Sequence, residues 1–207
     1  GAPVESAFDF LHAMIGERPI EMIAVALGIA NITLLVRRSI WNYPFGIAMV
    51  TLYAWIFFGA KLYSDMLLQG FFFVVQIYGW LHWLGRRDET GLVIVERLTK
   101  KAGLVYAASA VVGIALLGGA MARFTDASFP FWDASIAILS VCAQIMLARR
   151  ILENWILWIV VDLLAIGLYW TKDLQPTAAL YTIFLIIATL GFFEWRKAWK
   201  RGAGVDA

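Results

Sequence analysis

Arg37-Arg38-Ser39-Ile40-Trp41-Asn42 returns 112 residues later as Arg149-Arg150-Ile151-Leu152-Glu153-Asn154. In each copy a pair of arginines precedes a short connection and an asparagine. Outward from these segments the same offset holds: Glu21 meets Asp133, Gly79 meets Gly191, Trp83 meets Trp195, and Lys61-Leu62 meets Asp173-Leu174. A chain that matches itself at one fixed offset over this much of its length contains two copies of one structural module. Between the charged markers the chain is strongly apolar. It is 62% hydrophobic with a mean hydropathy of +0.77, against roughly 45–50% apolar for a soluble domain.

The apolar residues fall into seven runs, at 20–36, 41–60, 63–84, 102–121, 129–148, 152–170 and 176–195. Each approaches the ~20 residues that a helix needs to cross a bilayer at ~1.5 Å per residue. Strands of a membrane barrel would show shorter segments of alternating character. These runs are apolar on every face, and a helix satisfies its own backbone groups in lipid. The expected fold is all-α and polytopic. The offset assigns three runs to each copy and leaves the fourth as a connector, a three plus one plus three arrangement. A single connecting span makes the second copy enter the membrane in the same direction as the first. The repeats are then parallel, related by an axis along the membrane normal, and enclose a path between them. Small residues at Gly103, Ala107, Ala110 and Gly118 suit the connector to close packing against another helix, and it is expected outside the repeat pair, facing lipid or another subunit.

Basic residues set the orientation. Of the 17 Lys and Arg, Arg18, Lys61, Arg123 and Lys172 fall on one side and the other thirteen on the opposite side, which the positive-inside rule makes cytoplasmic. The expected organisation is an extracytoplasmic segment at 1–19, a first repeat at 20–84, a cytoplasmic loop and linker helix at 85–122, a second repeat at 123–196 and a cytoplasmic tail at 197–207. Residues 1–17 hold three acids and no base, unlike the basic start of a signal peptide. The basic clusters sit at helix ends as anchors, and no basic face interleaved with aromatics extends from the membrane to bind nucleic acid.

Polar residues at membrane depth are costly and usually face an interior cavity. Gln69, Gln76, Trp80 and Trp83 are spaced by seven, four and three on the third run, and Asn154, Trp158 and Asp162 by four and four on the sixth, with Trp155 beside them. Each set forms one helical stripe, and these eight residues are the candidate substrate-binding set. The two copies contribute unequally, since Val50 stands in the place of Asp162 and Ala188 in that of Gln76. Such a lining suits a flat ring that stacks on tryptophan, hydroxyls that bind amides and a cation balanced by Asp162. Other roles compete with this one. Trp41, Trp83, Trp132, Trp155, Trp195 and Trp199 lie near run ends, where tryptophan anchors at the membrane interface. Gln76 and Asp162 could bond between helices, and Asn42 and Asn154 stand where asparagine caps a helix.

Catalytic chemistry has no constellation to rest on. His12 and His82 have no Cys or acid at ligand spacing, the lone Cys142 excludes an intrachain disulfide, and there is no phosphate-binding loop. Neither an enzyme nor an ATP-driven pump is expected, and no cofactor or metal is called for.

Four blocks carry a family resemblance: Trp41-Asn42-Tyr43-Pro44-Phe45-Gly46, the stretch from Leu67-Leu68-Gln69 through Gln76-Ile77-Tyr78-Gly79-Trp80, Phe129-Pro130-Phe131-Trp132-Asp133, and Glu153-Asn154-Trp155-Ile156-Leu157-Trp158. From about Glu21 to Trp199 the chain resembles the PnuC family of bacterial nicotinamide riboside transporters. The resemblance implies a fold related to the SWEET sugar transporters, a homo-oligomer of trimer type in the bacterial inner membrane, and facilitated diffusion of nicotinamide riboside. It also implies that a cytoplasmic ribosylnicotinamide kinase traps the solute by phosphorylation. Thiamine or riboflavin transport, and a binding subunit or receptor that moves nothing alone, remain the alternatives.

Overall fold

A computed structural model describes residues 7–16, 18–61 and 63–205. The first six residues of the expected N-terminal segment, and Leu62 of the repeated Lys61-Leu62 pair, lie outside the described residues. Among the described residues are eight helices: α1 (Ala7–Ile15), α2 (Pro19–Val36), α3 (Asn42–Gly59), α4 (Tyr63–Leu84), α5 (Lys100–Phe124), α6 (Pro130–Ala148), α7 (Asn154–Thr171) and α8 (Gln175–Val205). Six of them have the length and apolar composition to cross a bilayer. α3 matches α2 and α7 at 18 residues, but its opening Asn42-Tyr43-Pro44 lowers its hydropathy.

The repeat is written into the backbone. The described residues hold four non-glycine residues with positive φ, namely Arg38 (60°), Lys61 (61°), Arg150 (64°) and Asp173 (57°), and they form two pairs 112 apart. Such residues are uncommon because the left-handed region crowds Cβ. Arg38, Arg150 and Asp173 each close a Schellman turn. Ser39 N donates to Leu34 O at 2.9 Å and Arg38 N to Leu35 O at 3.0 Å, while Ile151 N donates to Met146 O at 2.9 Å and Arg150 N to Leu147 O at 3.0 Å. Asn42 and Asn154 do not cap α3 and α7. Each is the first helical residue, and its side-chain amide donates to the carbonyl three residues back, Ser39 or Ile151, at 2.7 Å. The asparagines brace the turns that the arginines reverse.

Contacts run α2 to α3, α3 to α4, α4 to α6, α6 to α7, α7 to α8, and α8 back to α2. Six helices therefore form a closed ring in which α4 with α6 and α8 with α2 are the joints between copies. α5 stands outside, packed on α6. Its small residues make that contact: Gly118 lies under the Phe131 ring and Gly113 against Ile138, while Leu104, Val111 and Leu116 face outward. The short helix α1 lies against α8 and α2, an element the sequence reading left as a plain segment. α8 also continues through the expected tail as far as Val205, carried by the helix-forming run through Arg196, Lys197, Ala198 and Lys200.

The core is aromatic and sits at the end of the ring that carries the arginine turns. Trp83 Nε1 donates to Leu147 O at 3.2 Å, and its counterpart Trp195 Nε1 donates to Leu35 O at 2.9 Å. Each bond crosses from one copy to the other. The two indoles lie 5.9 Å apart; Tyr43 meets Trp83 edge-on at 5.0 Å and Trp155 meets Trp195 edge-on at 5.7 Å. Gly79 and Gly191 make room, since a Cβ there would stand 2.6 Å from Tyr43 Oη and 2.8 Å from the Trp155 ring. Trp83, Trp155 and Trp195 are thus not interface anchors: all three are buried between the copies. Trp41 remains exposed.

The stretch between α4 and α5, read from sequence as a charged loop, folds back over this end of the ring. Val93 and Val95 are buried in the aromatic core. Burial works against the Asp88 carboxylate in this stretch, but hydrogen bonds from Thr90 and Leu92 and the neighbouring Arg38 guanidinium hold its pKa below the ordinary value.

Trp83→Phe and Trp195→Phe each remove a crossing donor and leave its acceptor carbonyl with the backbone amide of Arg150 or Arg38 alone, a loss of about 0.5–1.5 kcal/mol. Thermal unfolding in detergent is expected to show a lowered Tm for both and no change for Trp41→Phe. Equal Tm values for all three would show that the crossed bonds do not fasten the copies.

Candidate functional site

The two predicted stripes run along the ring from the arginine-turn end towards mid-depth. On α4, Trp83 is fully buried, Gln76 is 5% exposed, and Trp80 and Gln69 are half-buried. The opposite face of α4 carries Leu67, Phe71, Val74, Tyr78 and Leu81, all exposed. On α7, Asn154, Trp155 and Asp162 are buried, and Trp158 is half-buried against the aromatic core. Asp162 lies eight residues into the 18-residue helix, hence ~12 Å from its start. Counted along the helices from this end, Trp83, Trp155 and Asn154 come first, Trp80 and Trp158 follow, Gln76 and Asp162 come next at equal counts, and Gln69 lies well beyond them.

Gln76 owes its position to Gly46. A Cβ on Gly46 would stand 2.1 Å from Gln76 Oε1 and 2.6 Å from Asn31 Nδ2, so the absence of a side chain on α3 admits two amides from α4 and α2. Asn31 Nδ2 donates to the Asn42 backbone carbonyl at 2.9 Å, while Gln76 Oε1 is buried without a partner. At the offset of 112 the counterparts of Gly46, Asn31 and Gln76 are Trp158, Ala143 and Ala188, and both alanines are buried. One copy places two amides around a glycine, and the other places an indole beside two methyls. The two walls of the ring are therefore chemically unlike at the same height. Asn31 was missed in sequence reading, although its pairing with Ala143 under the repeat marks it as another amide without a counterpart.

Further unpaired polar atoms gather near the closed end. Tyr43 Oη, Asn154 Oδ1 and Trp155 Nε1 are buried without a hydrogen-bond partner. Buried polar groups are ordinarily satisfied by protein, water or ligand, so these atoms and Gln76 Oε1 are the sites where a polar solute or water gains bonds at no cost to existing ones.

Beyond mid-depth the sequence reading missed a tyrosine pair. Tyr169 and Tyr181 stack at 5.5 Å with 24° between planes and share a hydrogen bond. The Asp162 carboxylate lies within electrostatic reach of Tyr181, and no described residue gives it a hydrogen bond or ion pair. The missing signal was available, since Tyr169 follows Asp162 by seven residues and so shares its helical face. The group offers a carboxylate at mid-depth, two stacked phenols above it, and amides and an indole below. Among the described residues no three His, Cys, Asp or Glu side chains converge to hold a metal ion.

The family model described as nicotinamide mononucleotide transporter matches residues 18–197. A nicotinamide riboside transporter, PnuC, of Escherichia coli (strain K12) is 30% identical over 89% of this chain and 88% of its own. The PnuC of Neisseria mucosa is 32% identical over 88% of this chain and 73% of its own. A riboflavin/roseoflavin transporter, RibM, of Streptomyces davaonensis is 28% identical over 84% and 83%. A crystal structure of a vitamin B3 transporter PnuC superposes with a TM-score of 0.72 at 28% identity, covering 94% of this chain and 90% of that one. With its several apolar helices, the chain is a multi-pass membrane protein. It belongs to the nicotinamide mononucleotide transporter family, whose members here are transporters and not enzymes.

Proposed function

We propose that this protein carries nicotinamide riboside across the bacterial inner membrane by facilitated diffusion. The observation that carries the reading is the unlike pair of walls at one depth of the ring, amides on one side and indole on the other, in a chain 30% and 32% identical to nicotinamide riboside transporters. The pyridinium ring stacks between Trp158 and Trp80, Asp162 balances its fixed charge, and Gln76, Gln69 and Asn154 bind ribose hydroxyls and carboxamide. Trp83 and Trp155 form the floor of the site. A cation–π contact of this kind contributes about 2 kcal/mol or more when desolvated.

Helices α2 to α8 act as seven spans in a SWEET-like three plus one plus three arrangement, with α2–α4 and α6–α8 as parallel bundles and α5 as linker. The arginine-turn end, with most of the basic residues, faces the cytoplasm. Small rocking of one bundle against the other gives alternating access. A cytoplasmic ribosylnicotinamide kinase supplies the drive by converting the riboside to an anion that the acidic path rejects. The protein works as a homo-oligomer, a trimer by likeness to its family, with the outward face of α5 available for lipid or subunit contact. A riboflavin reading is kept as the second because the RibM relative is 28% identical. Riboflavin is flat but uncharged, and it leaves the Asp162 carboxylate without a counter-ion.

Proteoliposomes holding the purified protein are expected to accumulate labelled nicotinamide riboside to the external concentration without an ion gradient, and beyond it when kinase and ATP are enclosed. No uptake, or uptake only with an imposed gradient, would contradict the proposal. Replacing Asp162 with Asn is expected to weaken binding of the cationic riboside by roughly ten- to hundredfold, the equivalent of about 1.5–3 kcal/mol. The reduced, uncharged riboside is expected to lose little. Equal losses for both ligands in titration would assign Asp162 to packing alone.

A further inference from the structure

The segment joining α4 to α5 has no counterpart elsewhere in the repeat, and it touches both copies at once. Its first part forms a tight loop in which Arg87 bridges to Val93 and Gly91 takes φ 79°. Val93 N then donates to Arg38 O at 3.1 Å, and Arg38 Nη1 returns a bond to Val93 O at 2.7 Å. One residue later the partner changes: Arg150 Nη1 donates to Ile94 O at 2.6 Å. Glu96 N donates to Arg150 O at 2.9 Å and Leu152 N to Glu96 O at 2.8 Å, a short parallel pairing with the second copy. Side chains alternate along this strand. Val93 and Val95 are 1% and 7% exposed and Ile94 between them is 46% exposed, so the two valines enter the aromatic core formed by α2, α3, α4, α6, α7 and α8.

Arg38 and Arg150 are the left-handed residues of the two equivalent turns, one from each copy. Their guanidinium groups are bound to carbonyls of consecutive residues, which lie one Cα step of ~3.8 Å apart. The two turns therefore cannot move apart by more than a few ångström while both bonds persist. Rocking that opens this end of the ring must break one clamp and withdraw the valines from the axis.

The two clamps are unequal. Towards the second copy the strand has its backbone pairing, the Arg150–Glu96 ion pair at 3.0 Å, a bond from Leu98 N to Glu153 Oε2 at 2.9 Å and the Arg97–Glu153 pair, and Arg97 lies over the Trp199 ring. Towards the first copy it has the Arg38–Val93 exchange, a long contact of 3.4 Å between Arg38 and Asp88, and the bond from Ile94 N to Arg86 O at 2.9 Å beside the end of α4. We propose that residues 93–97 are the inner gate of the transport path, a plug that stays fastened to the second copy and releases Arg38 of the first when the cytoplasmic mouth opens. This rests on the transport reading given above.

The test joins the releasing side covalently. Arg38→Cys and Asp88→Cys are introduced together on a Cys142→Ala background and bridged by a bifunctional methanethiosulfonate whose links are cleaved by thiols. Bridged protein in liposomes is expected to bind nicotinamide riboside in titration while its uptake falls to that of empty liposomes, with uptake restored by dithiothreitol. Uptake that persists in the bridged protein overturns the gate and leaves the transport reading standing. Lack of uptake by the wild-type protein overturns both. Hydrogen exchange in the wild-type protein gives a readout that needs no variant: the Val93 amide is expected to open faster than those of Glu96 and Leu152. Equal or greater protection at Val93 overturns the assignment of the releasing side.

Discussion

Two indole N–H groups, Trp83 to Leu147 O and Trp195 to Leu35 O, cross between the copies and fix how the ring closes. In lipid, helices gain little from burying apolar surface against each other, so packing and interhelical hydrogen bonds carry their association. Both acceptors are carbonyls in the last turns of α2 and α6, which also accept from the Arg38 and Arg150 amides of the closing turns. The indoles add a second donor to each carbonyl and lock α4 to α6 and α8 to α2 in one step. Because both lie at the arginine-turn end, that end is dense and aromatic.

Near-identity of backbone sets off the differences in side chain. Turns, glycines and crossing tryptophans repeat at 112, yet Gly46, Asn31 and Gln76 are replaced by Trp158, Ala143 and Ala188, and Val50 by Asp162. Volume removed from one wall is added to the other. A repeated scaffold thereby acquires one polar and one aromatic wall. The strand across the closed end obeys the same logic: one connector, present once, engages both equivalent arginines by contacts of unequal strength.

The apolar runs and the repeat, with its matched glycines and tryptophans, were legible because each depends on local pattern or on comparison of the chain with itself. Asn42 stands where a cap is expected and is none, because composition at a helix start cannot tell an acceptor of N–H bonds from a donor to the preceding turn. Trp83, Trp155 and Trp195 lie near span ends, and position along a helix says nothing of which face meets a neighbour. The 86–99 stretch was read as a charged loop since its polar residues outnumber Val93 and Val95, whose burial depends on a mouth formed by six distant helices. Tyr169 and Tyr181 join Asp162 only through the packing of α7 on α8. Contacts between elements, not the elements themselves, were what the sequence concealed.

The most direct measurement is calorimetric titration of the purified protein with nicotinamide riboside and with riboflavin. A lining of indole, amides and a mid-depth carboxylate predicts saturable heat with the cationic riboside and none with the flavin at the same concentration. Heat with riboflavin and silence with the riboside would contradict it, because the flavin has no charge for Asp162 to balance.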